Sequence, residues 1–197
     1  MALKLNWGNA GPMHGVSVEC PHCGSMTTPL QLCVSSSAID AQLRAGVSAT
    51  QILACPSCTL PFIYITSENR FIPSQRLGRS VKGLPADLER LYDEARDASS
   101  VGAFTACAMV ARKVLMNLAV LEGAEENRNF HHYVEYLAGN GFVPKKGRPW
   151  VDKIRTKGNE ATHEIELVTQ ADAADIMFLV ENLLRFNFEM VGSAESS

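Results

Sequence analysis

Residues 20–24 read CPHCG, and residues 55–58 read CPSC. Each is a Cys-x-x-Cys pair with proline after the first cysteine. In such a knuckle, the spacing brings both sulfurs toward one point, and the amides of the turn can hydrogen-bond to them. Two knuckles supply four sulfur ligands, a tetrahedral set that suits zinc. The expected ligands are Cys20, Cys23, Cys55 and Cys58. Four cysteines complete the coordination shell, so the expected centre is closed and structural, without the open position that catalysis needs. His14 and His22 lie near the first knuckle but are not required as ligands. Two other readings of the cysteines are weaker. A redox pair fits one Cys-x-x-Cys, but not two without thioredoxin-like surroundings. A disulfide framework belongs to exported chains. The start, MALKLNWGNAGPMHG, has no apolar core of the signal-peptide kind. Cys33 and Cys107 have no partners at ligand spacing and sit among apolar residues, so they read as small buried hydrophobes.

Outward from the knuckles, residues 1–19 show little periodicity and read as a loop or short strands. The 31 residues between Cys23 and Cys55 exceed the usual separation in a zinc ribbon, which leaves room for an insertion. SAIDAQLRAGVSATQIL, within that gap, carries helix-forming residues. LPFIYI, residues 60–65, is aromatic and β-branched and reads as a ribbon strand. A stretch rich in Arg, Pro and Gly follows and reads as a linker over 67–83.

From Leu84 the pattern turns helical. Pro85 suits a first helical turn, and Leu88, Leu91, Tyr92 and Ala95 follow at helix spacing. Phe104, Cys107, Ala108, Ala111, Leu115 and Leu118 mark one face of a long second helix ending near Gly123. A third is expected over 130–137, and a fourth over 150–163, weakened at Gly158. Thr169 and Asp172 resemble a capping box that opens a fifth. Its residues Ile176, Val180, Leu183, Leu184 and Phe188 make it the central helix. The expected domains are a zinc ribbon at 1–66, the linker at 67–83, a helical domain at 84–190 and a disordered tail at 191–197. The fold class is therefore mostly α: a small N-terminal β ribbon followed by a bundle of about five helices.

The 197 residues allow one medium domain or a small module plus a domain. A hydrophobic content of 46% is ordinary for a globular chain. The net charge of −3 argues against a protein that coats polyanions indiscriminately. No apolar run approaches the roughly 18 residues of a membrane helix, and the expected compartment is the cytoplasm.

The densest chemistry is IRTKGNEATHE, residues 154–164. On a helix, Arg155, Asn159 and His163 fall four apart and share one broad face. A cation, an amide and a side chain that titrates near neutrality then look the same way. Arg155 and His163 would be roughly 12 Å apart on a continuous helix. A break at Gly158, or a second copy of the chain, would shorten that reach. The alternative is that the three residues tie neighbouring helices together. Between residues 145 and 157, running into this stretch, lie Lys145, Lys146, Arg148, Lys153, Arg155 and Lys157, against the single acid Asp152, a local charge of +5. Trp150 sits among them and could stack on a base. Such a patch suits single-stranded nucleic acid; a solvated loop with Trp150 in the core is the other reading.

Leu84-Pro85, then Tyr92, Glu94 and Ala95, then Arg112, then IRTKGNEATH at 154–163 form a pattern. It resembles the family catalogued as domain of unknown function 4145, over roughly residues 84–188. Members also carry an N-terminal zinc ribbon and occur attached to type I restriction subunits. The resemblance implies a prokaryotic, defence-related setting with a partner protein. The family in turn is similar to the HEPN superfamily of helical domains, many of them dimeric, metal-independent ribonucleases. That implies a HEPN-like bundle, a homodimer, RNA as substrate, and Arg155 and His163 as the catalytic pair. Seven residues separate the two here, and Thr156 stands where Asn, Asp or His is usual, so Asn159 would supply the amide. The rival reading is a non-catalytic zinc-ribbon adaptor that docks a partner protein or nucleic acid, in which Arg155, Asn159 and His163 are structural.

Overall fold

The computed structural model describes residues 11–12, 17–34, 50–65, 68–143 and 167–190. The chain forms two compact units, Met1–Arg76 and Leu77–Ser197, and each has its own apolar cluster.

The first unit is built on strands β1 (Gly11–Pro12), β2 (Val18–Glu19), β3 (Met26–Thr27), β4 (Leu30–Val34), β5 (Thr50–Ala54), β6 (Pro61–Ile65) and β7 (Arg70–Ile72). β2 and β3 pair as a hairpin. The others form one antiparallel sheet in the order β1-β4-β5-β6-β7. A register shift between Gln31 and Cys33 bulges β4 against β5. Side chains alternate across a strand, so the pairing sorts the residues into two faces. Leu53 opposes Phe62, and Gln51, Tyr64 and Phe71 lie in register beside them. Phe71 meets Phe62 edge-on at 5.7 Å and stacks on Tyr64 at 4.8 Å. This face carries the buried cluster of Cys20, Leu53, Cys55 and Phe62. The opposite face carries Ile52, Ile63 and Ile72 in one row across three strands. Such a core is small. Burying Leu53 or Phe62 contributes about 1.5–3 kcal/mol each, against an ordering cost of ~1.5 kcal/mol per residue. A unit of this kind needs a further fastening.

The second unit is helical: α1 (Ala86–Ser100), α2 (Phe104–Leu121), α3 (Phe130–Gly139) and α4 (Gln170–Leu184), the last continuing into a π-helical turn, Arg185–Met190. Pro85 stands at the N-cap of α1 with φ −56°, and Asp87 and Glu89 in the first turn suit the helix dipole. Leu88, Tyr92, Ala95 and Ser99 form its buried stripe. Gly102, at φ +79°, turns the chain into α2. α2 buries Cys107, Ala108, Ala111, Val114, Leu115, Leu118 and Ala119. Among the described residues it is the one helix long and apolar enough to cross a membrane by length and composition; its buried face packs against α1, α3 and α4, so α2, and not the last helix as its apolar residues suggest, is the centre of this unit. Asn129 caps α3 by accepting from the His132 amide at 2.9 Å. Thr169 caps α4: its hydroxyl accepts from the Asp172 amide at 3.2 Å and donates to the Asp172 carboxylate at 2.8 Å.

Several expectations change. The chain is less purely helical than its periodicity suggests, because the sheet has five strands in addition to the β2–β3 hairpin. Four α-helices stand among the described residues, and the one expected over 150–163 lies outside them. The gap between the knuckles holds β4 and β5 as neighbours; TQIL, expected within a helix-forming insertion, is strand, and residues 35–49 lie outside the described residues. Short strands are stabilised by partners distant in sequence, which local propensity does not register. Residues 67–83 also divide. β7 pairs with β6 in the first unit. Val81 is buried in the helical cluster, which stabilises its segment by about 1.5–3 kcal/mol. The tail at 191–197 lies outside the described residues.

Candidate metal centre

Both knuckles are hairpin turns, and they share one hydrogen-bond scheme. The first lies between β2 and β3, the second between β5 and β6. The Cys20 amide donates to the Ser25 carbonyl at 2.9 Å, as the Cys55 amide does to Leu60 at 3.1 Å. The Gly24 amide donates to the Cys20 carbonyl at 2.9 Å, and the Thr59 amide to Cys55 at 2.8 Å. Each turn is closed by its own backbone before any metal is considered. In the first, the His22 amide also points at the Cys20 sulfur, 3.4 Å away.

The sheet brings the turns together. The sulfurs of Cys20, Cys23, Cys55 and Cys58 all lie within 4.8 Å of one another. Cys20 Sγ is 3.7 Å from Cys58 Sγ, and Cys23 Sγ is 3.8 Å from Cys55 Sγ. A metal–sulfur bond of about 2.3 Å in a regular tetrahedron puts sulfurs about 3.8 Å apart. Four cysteines are thus grouped as a site that could hold a metal ion. The same backbone closure and the β5–β6 pairing bury Cys20 and Cys55, while Cys23 is exposed and Cys58 half-buried.

The electrostatics follow this asymmetry. Without a cation, burial pushes the Cys20 thiol up to about 12 and raises Cys58. Burial also pushes Cys23 upward, but the Ser25 hydroxyl and amide outweigh it and hold that thiol at about 7. A divalent cation would have to displace protons from Cys20 and Cys58.

His22 has a role that the sequence alone does not reveal. Its Nε2 lies 2.9 Å from the Pro61 carbonyl, so the ring ties the first knuckle to the start of β6. Cys107 is fully buried in α2, and burial pushes its thiol up to about 11. Arg112 lies over the Phe130 ring at 4.3 Å, half-buried, and burial lowers its pKa. Glu94 is exposed on α1. Arg155, Asn159 and His163, and Lys145, Lys146, Arg148, Trp150, Lys153 and Lys157, lie outside the described residues, as do His14 and the sequence 13–16 around it.

No curated protein and no solved structure matches the chain. A family model described as Domain of unknown function (DUF4145) matches residues 93–196, from within α1 onward and over just more than half of the sequence. The chain therefore belongs to the DUF4145 family.

Proposed function

We propose that this protein is an RNA-directed, HEPN-like module of a prokaryotic defence or restriction system, acting in the cytoplasm and carrying a zinc ribbon as its structural partner domain. The observation that supports the division of labour is the four-cysteine centre. Its two sulfur contacts, at 3.7 and 3.8 Å, match the spacing of a closed zinc site, and such a site leaves no position for a substrate. Chemistry then belongs to the helical unit. There Arg155 and His163 act on RNA without metal, with Asn159 orienting. The 2′-hydroxyl gives its proton to His163 and attacks the adjacent phosphorus, the bond from phosphorus to the 5′-oxygen breaks and that oxygen takes up a proton, and the guanidinium of Arg155 stabilises the charged phosphorane. Lys145, Lys146, Arg148, Lys153 and Lys157 neutralise phosphates and Trp150 stacks on a base. A homodimer supplies two such sets to one groove.

The test is cleavage of single-stranded RNA without added metal, leaving a cyclic phosphate end. Arg155→Ala and His163→Ala each remove about 10²- to 10⁴-fold of rate, and Asn159→Ala less, because an amide cannot shuttle protons. Replacing Lys145, Lys146 and Arg148 together flattens the dependence of RNA affinity on salt. RNA left uncut by the folded protein points to the second reading, a non-catalytic adaptor for a partner protein. That reading is favoured by the row of Ile52, Ile63 and Ile72, whose outer members are 41% and 38% exposed.

A further inference from the structure

We propose that the four-cysteine centre is a peroxide-sensitive switch, entered at Cys23 and closed by disulfides across the knuckles, Cys23 to Cys55 and then Cys20 to Cys58. The inference rests on the zinc reading above. Its first ground is access. Cys23 is the exposed sulfur of the four, Cys58 is half-buried, and Cys20 and Cys55 are 2% and 0% exposed. A small oxidant from solvent meets Cys23 first. Its second ground is contact. Cys23 Sγ touches Cys55 Sγ at 3.8 Å, and Cys20 Sγ touches Cys58 Sγ at 3.7 Å. Both contacts join one knuckle to the other.

The chemistry balances with hydrogen peroxide as oxidant. The Cys23 thiolate attacks one peroxide oxygen; the O–O bond breaks and hydroxide leaves, giving the sulfenic acid. The Cys55 thiolate then attacks the Cys23 sulfur; the S–S bond forms, the S–O bond breaks and a second hydroxide leaves. Two thiolates lose two electrons and one peroxide gains them. Zinc, reduced to two sulfur ligands, dissociates. A second peroxide oxidises Cys58 in the same way, with Cys20 as the resolving sulfur; the two thiols give their protons to the departing hydroxides, so that water leaves at each step. Because each disulfide joins both knuckles, the oxidised turns stay fastened after the metal leaves. Disulfides within each knuckle would leave them unlinked. The His22 ring, bonded to the Pro61 carbonyl at 2.9 Å, holds the first knuckle against β6 through the exchange.

The experiment uses the full chain, with its zinc content measured first. Hydrogen peroxide is added in steps, released zinc is read with a metal-sensitive dye, free thiols are trapped with N-ethylmaleimide, and disulfides are mapped by peptide mass spectrometry. The expected result is release of about one zinc per chain together with a Cys23–Cys55 disulfide, followed by Cys20–Cys58. A reducing thiol plus zinc restores the starting state. Cys107, fully buried, stays reduced and serves as the internal control. Disulfides within the knuckles, or zinc retained with Cys23 unmodified at peroxide levels that oxidise free cysteine, overturn the switch and leave the zinc reading standing. A zinc-free starting protein with four free thiols overturns both.

Discussion

Gly24 and Thr59 occupy the same place in the two knuckles, four residues after the first cysteine, and both are left-handed, at φ +72° and +63°. In each, the amide at that place closes the turn onto the leading cysteine. A β-branched residue there is a backbone outlier, so the second knuckle holds a strained conformation that the first meets with glycine. A Cβ on Gly24 would meet nothing nearer than Glu19 Oε1 at 3.8 Å. Gly24→Ala therefore costs stability through its backbone alone, about 1 kcal/mol. Thr59→Gly relieves strain and is tolerated. Both are read by the denaturant midpoint of the ribbon unit. An equal loss in the two variants would show that the shared geometry is not what holds the turns.

Removing the metal is expected to separate the fates of the units. The ribbon cluster rests on Leu53 and Phe62 with two of the cysteines, while the helical cluster is large and contains none of the four. Excess chelator, or Cys20→Ser, exposes the amides of β4 to β7 to hydrogen exchange. Protection in α1, α2 and α4 persists. Simultaneous loss of protection in both units would contradict separate cores.

Metal affinity should rise with pH across the neutral range. Burial holds Cys20 at about 12 and raises Cys58, so both are protonated in the metal-free fold at pH 7. Binding expels those protons, and each added proton at lower pH opposes binding. Competition against a chelator of known affinity at pH 6, 7 and 8 gives the slope. A flat profile would mean that the sulfurs are already ionised before the metal arrives.

Tyr92 pins the segment ahead of α1. Its hydroxyl donates to the Arg79 carbonyl at 3.0 Å, the Arg79 amide donates to Glu181 at 3.2 Å, and Arg96 Nε reaches the Gly78 carbonyl at 3.3 Å. A Cβ on Gly78 would sit 2.5 Å from the Tyr92 hydroxyl, and its φ of +74° disfavours any side chain. Tyr92→Phe should cost about 1 kcal/mol. Gly78→Ala should cost more, since clash and backbone strain act together. The double variant should be less damaged than the sum, because the clashing oxygen is gone. Strict additivity in a thermal melt would place the cost of Gly78→Ala entirely in its backbone.

What the sequence determined by itself is what short range decides. The Cys-x-x-Cys spacing makes each knuckle within a few bonds, so Cys20, Cys23, Cys55 and Cys58 were legible as a candidate four-sulfur site before any fold was known. Thr169 marks a helix start because its hydroxyl accepts from an amide three residues on, and Pro85 because its fixed φ suits a first turn and its missing N–H costs nothing there. The buried stripes of α1, α2 and α4 follow the helical period. Tertiary structure alone decided the rest. Which sulfur is exposed depends on a sheet that pairs Leu53 with Phe62. The bond from His22 to Pro61 spans 39 positions, and the Arg79 amide finds Glu181 102 positions away. The division of 67–83 between β7 and the Val81 segment likewise turns on partners far along the chain. Such contacts form only after the entropy of closing long loops has been overcome by burial, a balance that the residues at either end do not carry in their own neighbourhoods.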